Sequence, residues 1–332
     1  MTIPSNLNHD TAAEEFEGFL ADYGTLLKEN RLRLSFFLEL TQELQNQQIP
    51  VLPLKGIDLL IRAYPSAGMR PMADIDLLIQ KKDIRKVMSV LETKDFKRRP
   101  DEGLTYLNRD QSINLDIIWD FWYFHGSKEI QALWDRAVTL QYENTAVEML
   151  HPEDNFIYLT AYTTAHRGVL SETFIRDLHF FLEKEGSSID WKRLADKIKS
   201  LKLQTFCFHG LSYAAAQDLS EVPEDFMAAL RPVSLADKTL LFILKHFVSE
   251  APQPKVSYFF TWLGYPGIGG KLKLLREKLL PSRFELEIRR GIASNSGYLA
   301  YLFLHPFNLI FMSLSRSSKK LIKKIKYPIL RP

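Results

Sequence analysis

The sequence has a single cysteine, Cys207, among 332 residues, so it can form neither an internal disulfide nor a zinc site built from several thiolates. It also lacks the G-x-x-x-x-G-K-[ST] phosphate loop, the H-E-x-x-H metal motif, the G-x-G-x-x-G turn and the nucleophile elbow. The glycine turn at 267–270 follows an aromatic and proline-containing stretch, where a dinucleotide site needs an apolar strand. These absences argue against Walker-type and dinucleotide-binding enzymes.

The sequence also has little net charge and few long apolar runs. The net charge is +3, from 43 Lys and Arg against 40 Asp and Glu, and argues neither for nor against binding of nucleic acid. The apolar segment 298–314 is shorter than the roughly 20 residues of a membrane span, and His305 and Pro306 interrupt it. We therefore predict a buried pair of helices there. The polar, acidic N-terminus shows no signal-peptide pattern, and we expect a cytoplasmic protein.

The most informative stretch is residues 51–79, VLPLKGIDLLIRAYPSAGMRPMADIDLLI. It predicts a strand, a glycine turn, a short helix, a loop and a second strand. Residues two apart in a strand share a face, so Asp74 and Asp76 point in the same direction. Two neighbouring carboxylates repel each other unless a cation lies between them, and Mg²⁺ is a natural occupant of such a site.

A second apolar run, Ser112 to Trp119, places Asp116 in the middle of another predicted strand. An unpaired carboxylate is costly to bury in such a setting. If the two strands are neighbours, Asp116 joins Asp74 and Asp76 around one or two metal ions. Metal-assisted phosphoryl and nucleotidyl transfer use such a carboxylate trio.

Several of these segments resemble a known family. Leu54-Lys55-Gly56, Tyr64, Arg70, DIDLLI at 74–79 and LDIIW at 115–119 are similar to the uncharacterised bacterial nucleotidyltransferase-like family of the DNA-polymerase-β-type superfamily. HPEDNFIYLTAYTTAH at 151–166 and FIRDL at 174–178 resemble the later blocks of that family, and the resemblance covers roughly residues 30 to 210.

The resemblance implies a function and a set of site residues. Asp74, Asp76 and Asp116 are expected to bind Mg²⁺, or Mn²⁺, and to carry catalysis. Lys55, Gly56 and Arg70 are expected to hold the phosphates of an NTP donor. The acceptor stays open among a protein, a peptide, a small molecule and RNA.

One departure from the superfamily supports an alternative function. Its members carry a Gly-Ser turn after the first strand, whereas here Lys55-Gly56 is followed by Ile57. The alternative is a catalytically degenerate nucleotidyltransferase fold that binds a nucleotide or a partner.

The fold class predicted from these patterns is α+β. Residues 1–48 form an N-terminal helical layer, 49–150 a small mixed-sheet nucleotidyltransferase domain, and 151–332 a large all-helical region with a basic tail. Apolar residues at helical spacing predict two helices between residues 11 and 48. Asp83 and Asp190 are predicted to cap the helices that follow them.

Other candidates have two interpretations each. His166, Arg176 and Asp177 could bind substrate, because Arg and His clamp phosphates, or they could form salt bridges within or between helices, such as Asp177 with His166. The aromatic patch 119–126 could stack on a base, although a hydrophobic wedge is favoured. The C-terminal lysines, 319–326, could contact an anionic membrane or RNA, although a solvated tail is favoured.

Overall fold

The computed structural model describes residues 9–99, 104–121, 127–167, 170–219, 221–248, 271–272, 275–276, 279–290 and 294–303, with side chains from Asp22 onward. The chain divides into two compact units, residues 1–265 and residues 266–332. The three-part division of the chain stays a prediction.

A five-stranded mixed sheet forms the centre of the first unit. Its strands are β1 (Val51–Leu54), β2 (Ile75–Ile79), β3 (Lys97–Arg98), β4 (Thr105–Leu107) and β5 (Asn114–Ile118), arranged in the order β1-β2-β5-β4-β3. Strands β2 and β5 run parallel, and the other pairs are antiparallel. All five residues of β2 are buried, which explains its nearly continuous apolar sequence. The predicted α+β fold with a small mixed sheet is therefore confirmed.

Two short helices connect the strands. Helix α2 (Lys55–Arg62) follows β1 directly, and α3 (Ile84–Thr93) follows β2. Asp83 precedes α3 as predicted, but its side chain makes no capping hydrogen bond. The connection from α2 to β2 contains a short 3₁₀ turn at Ala67–Met69.

A single helix, α1 (His9–Asn46), replaces the two helices predicted for this region. The prediction was wrong because the residues between the two apolar stripes, KENRLR at 28–33, are good helix formers and contain no proline or glycine. Asn30 on α1 donates hydrogen bonds of 2.7 Å to the carbonyls of Ala67 and Arg70. The predicted helical layer therefore lies against the loop that leads into β2.

A hairpin that the sequence analysis missed follows the sheet. Helix α4 (Ser127–Asp135) leads into β6 (Val138–Tyr142), which pairs with β7 (Thr145–Met149). Gln42 on α1 donates a 2.8 Å hydrogen bond to the hydroxyl of Thr145. The hairpin thus extends the packing surface of α1.

The described residues between 152 and 248 are mainly helical, as predicted. They comprise α5 (Pro152–Ala161), α6 (Glu172–Glu185), α7 (Trp191–Ser200), α8 (Gln204–Ala215), α9 (Glu224–Leu230) and α10 (Leu235–Phe247). A π-helical turn, Tyr162–Arg167, extends α5. Asp190 caps α7 by accepting a 3.0 Å hydrogen bond from the backbone N–H of Arg193, as predicted.

The second unit contains α11 (Arg283–Arg290), whose Leu286 and Ile288 are buried. Residues 304–314 of the predicted apolar helix pair, the basic tail and most of the aromatic patch lie outside the described residues. Within the described part of the chain, none of the helices has the length and apolar character that crossing a membrane requires.

Candidate active site

Three carboxylates meet where β2 and β5 run side by side. Asp76 is directly opposite Asp116 in the parallel register, and Asp74 lies two residues before Asp76. One carboxylate oxygen from each residue lies within 4.8 Å of the others. Asp76 is only 4% exposed, whereas Asp74 and Asp116 are half-buried. The structure therefore brings together Asp74, Asp76 and Asp116, the three carboxylates that the strand patterns predicted to be neighbours.

The electrostatics of this trio centre on Asp76. Burial raises the pKa of Asp76, the Lys55 ammonium opposes that rise, and the charges of Asp74 and Asp116 add to it. The cluster therefore favours a bound cation, which relieves the repulsion among the three groups. Carboxylate oxygens are the ligands that hard divalent ions such as Mg²⁺ prefer, so these residues fit the metal that the sequence implies.

Lys55 supplies a positive charge to the same cluster. It is the first residue of α2, and its backbone has a positive φ of 49°, an unusual conformation for a lysine. The Lys55 ammonium lies 2.6 Å from Oδ1 of Asp76 and 4.4 Å from the centroid of the Tyr162 ring. The sharp turn between β1 and α2 therefore places this ammonium at the trio.

Close packing around Gly56 leaves no space for a larger residue. A Cβ atom built at this position would lie 2.3 Å from Sδ of Met72 and 2.8 Å from Nη1 of Arg70. Neither distance leaves room for a methyl group. In this structure, two side chains of the loop before β2 therefore lie close to Gly56. The contact of Gly56 with phosphate stays a prediction.

Arg70 forms a buried ion pair with Asp177 on α6. Nε and Nη2 of Arg70 donate hydrogen bonds of 2.8 and 2.9 Å to the two oxygens of that carboxylate. The hydroxyl of Tyr64 donates a third, of 2.7 Å, and burial together with the Asp177 charge raises the pKa of Tyr64. The salt-bridge interpretation thus holds for Asp177, with Arg70 as its partner. The role of Arg70 as a phosphate ligand stays a prediction.

The two remaining candidates for substrate binding are Arg176 and His166. Arg176 is exposed on α6, one position before Asp177. The backbone of His166 lies in the π-helical turn, and its side chain lies outside the described residues. Their predicted contact with substrate stays a prediction.

Tyr162 is a site residue that the sequence analysis did not single out. It stands in the block 151–166 that carries the family resemblance, but nothing in its spacing indicates a contact with Lys55. Tyr162 is the first residue of the π-helical turn, and turns of this kind occur frequently at functional sites.

A groove of about 760 Å³ lies elsewhere on the first unit. Its lining comes from α1, from residues 60–67 and from the turn between β6 and β7. None of the three carboxylates lines it, so it is separate from the candidate active site.

Comparison with protein families identifies the family to which this chain belongs. A family described as uncharacterised nucleotidyltransferase matches residues 5–217, which contain the three carboxylates and Lys55. The chain belongs to this family. Its membership makes the protein a nucleotidyltransferase-family enzyme and confirms the resemblance seen in the sequence. Among curated protein sequences, none matches the chain.

Two solved structures resemble the fold of this nucleotidyltransferase-family protein. The antibiotic-resistance factor ANT(2'')-Ia is 13% identical with a TM-score of 0.37, and the match covers 57% of this chain and 96% of that one. An antigenic nucleotidyltransferase-like protein from Paracoccidioides brasiliensis is 16% identical with a TM-score of 0.39, covering 61% of this chain and 92% of that one.

Proposed function

We propose that this protein is a divalent-metal-dependent nucleotidyltransferase that moves a nucleoside monophosphate from an NTP to an acceptor hydroxyl. The observation that supports the proposal is the trio of Asp74, Asp76 and Asp116, whose oxygens lie within 4.8 Å of one another on two adjacent strands. In this proposal the three residues hold Mg²⁺ or Mn²⁺. A divalent ion bound there supplies charge neutralisation and orientation of the phosphates.

Asp116 and Lys55 have further roles in the proposed reaction. The Asp116 carboxylate takes the proton of the acceptor hydroxyl, whose oxygen forms a bond to the α-phosphorus. The bond between the α-phosphorus and the bridging oxygen breaks, and pyrophosphate leaves with the electron pair. The Lys55 ammonium stabilises the charge that accumulates on the phosphate oxygens. The acceptor is a protein, a peptide, a small molecule or RNA.

A thermal-shift titration tests the donor half of this proposal. Each NTP is added with and without Mg²⁺ to the wild-type protein, to Asp76→Asn and to Asp95→Asn, and release of pyrophosphate is assayed in parallel. Asp95 is exposed and adopts a left-handed conformation that asparagine tolerates, so it is a matched control for the loss of one carboxylate. A ligand that binds the native state raises the melting temperature by mass action.

We expect at least one NTP to give a Mg²⁺-dependent shift that Asp95→Asn keeps and Asp76→Asn loses. Incubation of that NTP, labelled at its α-phosphate, with candidate acceptors then identifies the product. Full activity of Asp76→Asn would contradict the assignment of the trio.

One observation favours the second candidate, a nucleotide-binding module without transfer activity. Lys55 and Arg70, the two cations expected to hold phosphate oxygens, both hydrogen-bond to carboxylates of this chain. This candidate predicts that an NTP raises the melting temperature while no pyrophosphate is released with any acceptor.

A further inference from the structure

The Lys55 ammonium already bonds to one of the three carboxylates that would hold a metal ion. It lies 2.6 Å from Oδ1 of Asp76, the most buried of the three carboxylates. Asp76 is in the middle of the sheet, and Lys55 immediately follows the neighbouring strand β1, whose Leu54 is paired with Asp76. Strand pairing thus fixes the backbone of Asp76 and of Leu54, the residue just before Lys55.

The Tyr162 ring holds the same ammonium from the other side. The centroid of this ring lies 4.4 Å from Nζ of Lys55, within the range of a cation–π interaction. Tyr162 packs on Tyr158 with ring centroids 5.1 Å apart, and Tyr158 stacks on Phe121, just beyond β5, at 4.6 Å. This row of three rings, one of which follows the Asp116 strand, gives Tyr162 a defined position.

We propose that Lys55 is a built-in competitor of the metal ion at Asp76, and that Tyr162 is the positioning residue that keeps Lys55 there. This inference rests on the proposed function. Because Lys55 and a divalent ion are both cations that bind the Asp76 carboxylate, they repel each other there and Lys55 weakens metal binding. A triphosphate offers the ammonium a second anionic partner, so nucleotide binding draws Lys55 away from Asp76. Metal and nucleotide therefore strengthen each other's binding, as thermodynamic linkage requires.

Mn²⁺ binding, followed by electron paramagnetic resonance or calorimetry at pH 8, tests the proposal without an activity assay. Lys55→Met removes the ammonium and keeps most of the side-chain length. We expect it to tighten Mn²⁺ binding at least about fivefold, within the usual range of coupling between sites, and to weaken binding of the NTP. Opposite changes in the two affinities are the signature of competition, because a merely structural defect weakens both.

Variants of Tyr162 test the positioning role. Tyr162→Leu removes the ring face, and we expect Mn²⁺ to bind about two- to fivefold more tightly, as loss of a cation–π contact implies. Tyr162→Phe keeps the ring and is expected to bind Mn²⁺ like the wild type. In the Lys55→Met background, Tyr162→Leu is expected to change Mn²⁺ affinity no further, since the contact that it removes is already gone.

Lys94→Met is the matched control for loss of an ammonium. Lys94 forms a 2.7 Å pair with Glu43, so this variant breaks a similar ion pair that does not involve the trio. Its Mn²⁺ affinity is expected to equal that of the wild type. Lys55→Gln provides a second test with a polar side chain should Lys55→Met fail to give the circular dichroism spectrum of a folded protein.

The outcomes separate the two proposals. If Asp76→Asn abolishes Mn²⁺ binding but neither Lys55→Met nor Lys55→Gln tightens it, competition by Lys55 is wrong and the proposed metal site stands. If Asp76→Asn binds Mn²⁺ as tightly as the wild type, the proposed metal site is itself wrong. Tighter binding by Lys94→Met would show that net charge alone causes the effect, which also overturns the competitor role.

Discussion

Arg70 and Asp177, which are 107 residues apart in the sequence, form a bidentate ion pair with hydrogen bonds of 2.8 and 2.9 Å. The pair joins the loop before β2, which carries Asp74, to helix α6. Both side chains are about 10% exposed, so the pair is largely shielded from water. The position of the loop before the carboxylate strand therefore depends on a residue in the helical region.

Breaking this pair provides a stability prediction. We expect Asp177→Asn to lower the free energy of unfolding by about 3 to 5 kcal/mol, because it leaves the Arg70 guanidinium buried without its counter-charge. Arg176→Gln changes the exposed neighbour and is expected to alter stability by less than about 0.5 kcal/mol. Chemical denaturation measures both values. Wild-type stability of Asp177→Asn combined with loss of NTP binding would instead favour a phosphate-binding role for Arg70.

Gly56 provides a packing prediction. A methyl group at this position overlaps Met72, so we expect Gly56→Ala to destabilise the protein by about 1 to 3 kcal/mol, the usual cost of overpacking. In a Met72→Ala background the same substitution should cost clearly less, because the overlapping sulfur is gone. A double-mutant cycle from urea denaturation measures this coupling. Equal costs in the two backgrounds would show that Met72 is not the obstacle.

Glu153, at the start of α5, is another buried anion. It is fully buried and accepts hydrogen bonds from Arg136 at 2.6 Å and from Arg193 on α7. Burial opposes ionisation, but the hydrogen bonds from Arg193 and Arg136 outweigh it and lower the pKa of Glu153. Its contribution to stability is therefore present above the ordinary glutamate pKa of 4.5 and is lost as the pH falls below it.

Replacement of Glu153 tests this contribution. We expect Glu153→Gln to cost about 3 kcal/mol at pH 7, and the cost to shrink in acid, as the wild-type carboxylate itself becomes protonated. Thermal unfolding across this pH range measures the effect. Glu183→Gln, at an exposed position of α6, is the control and should unfold like the wild type at every pH.

His209 makes the fold sensitive to acid. Burial, together with the charge of Lys245, lowers the pKa of His209 from 6.5 to about 4. A lowered pKa means that the folded protein holds the neutral ring, so the associated stability is present above pH 6.5 and is lost as the pH falls toward about 4. We expect His209→Gln to flatten the decline in melting temperature within this window. His246→Gln, at an exposed position of α10, should leave the decline unchanged, and equal slopes for all three proteins would contradict the assignment.

The sheet and its three carboxylates were predictable because both depend on local patterns. The alternation around Asp74, Asp76 and Asp116 indicated the strands and the face that each carboxylate shares. The hairpin β6–β7 also alternates, with every second residue of β7 buried, and that signal was present but missed. The long helix α1 differs from the two predicted helices because its apolar residues fall into two groups, although no proline or glycine between the groups ends the helix.

The contacts around the trio could not be predicted, because they join residues far apart in the sequence. Lys55 was expected to bind phosphate, yet nothing in a lysine beside a glycine indicates that it bonds to Asp76. Asp177 was recognised as a candidate for a salt bridge, but its partner Arg70 had been given another role. The contact of Tyr162 with Lys55 likewise joins two distant segments of the chain, so no local spacing indicates it.

The parallel pairing of β2 with β5 also has a consequence for the time course of folding. Asp76 and Asp116 meet only after the intervening chain, with α3, β3 and β4, has folded back on itself. Contacts that close so large a loop form more slowly than those within a helix or a hairpin. We therefore expect a chain emerging from the ribosome to have no carboxylate trio until β5 has been synthesised and has entered the sheet, so that the proposed metal site is completed at a late step of folding.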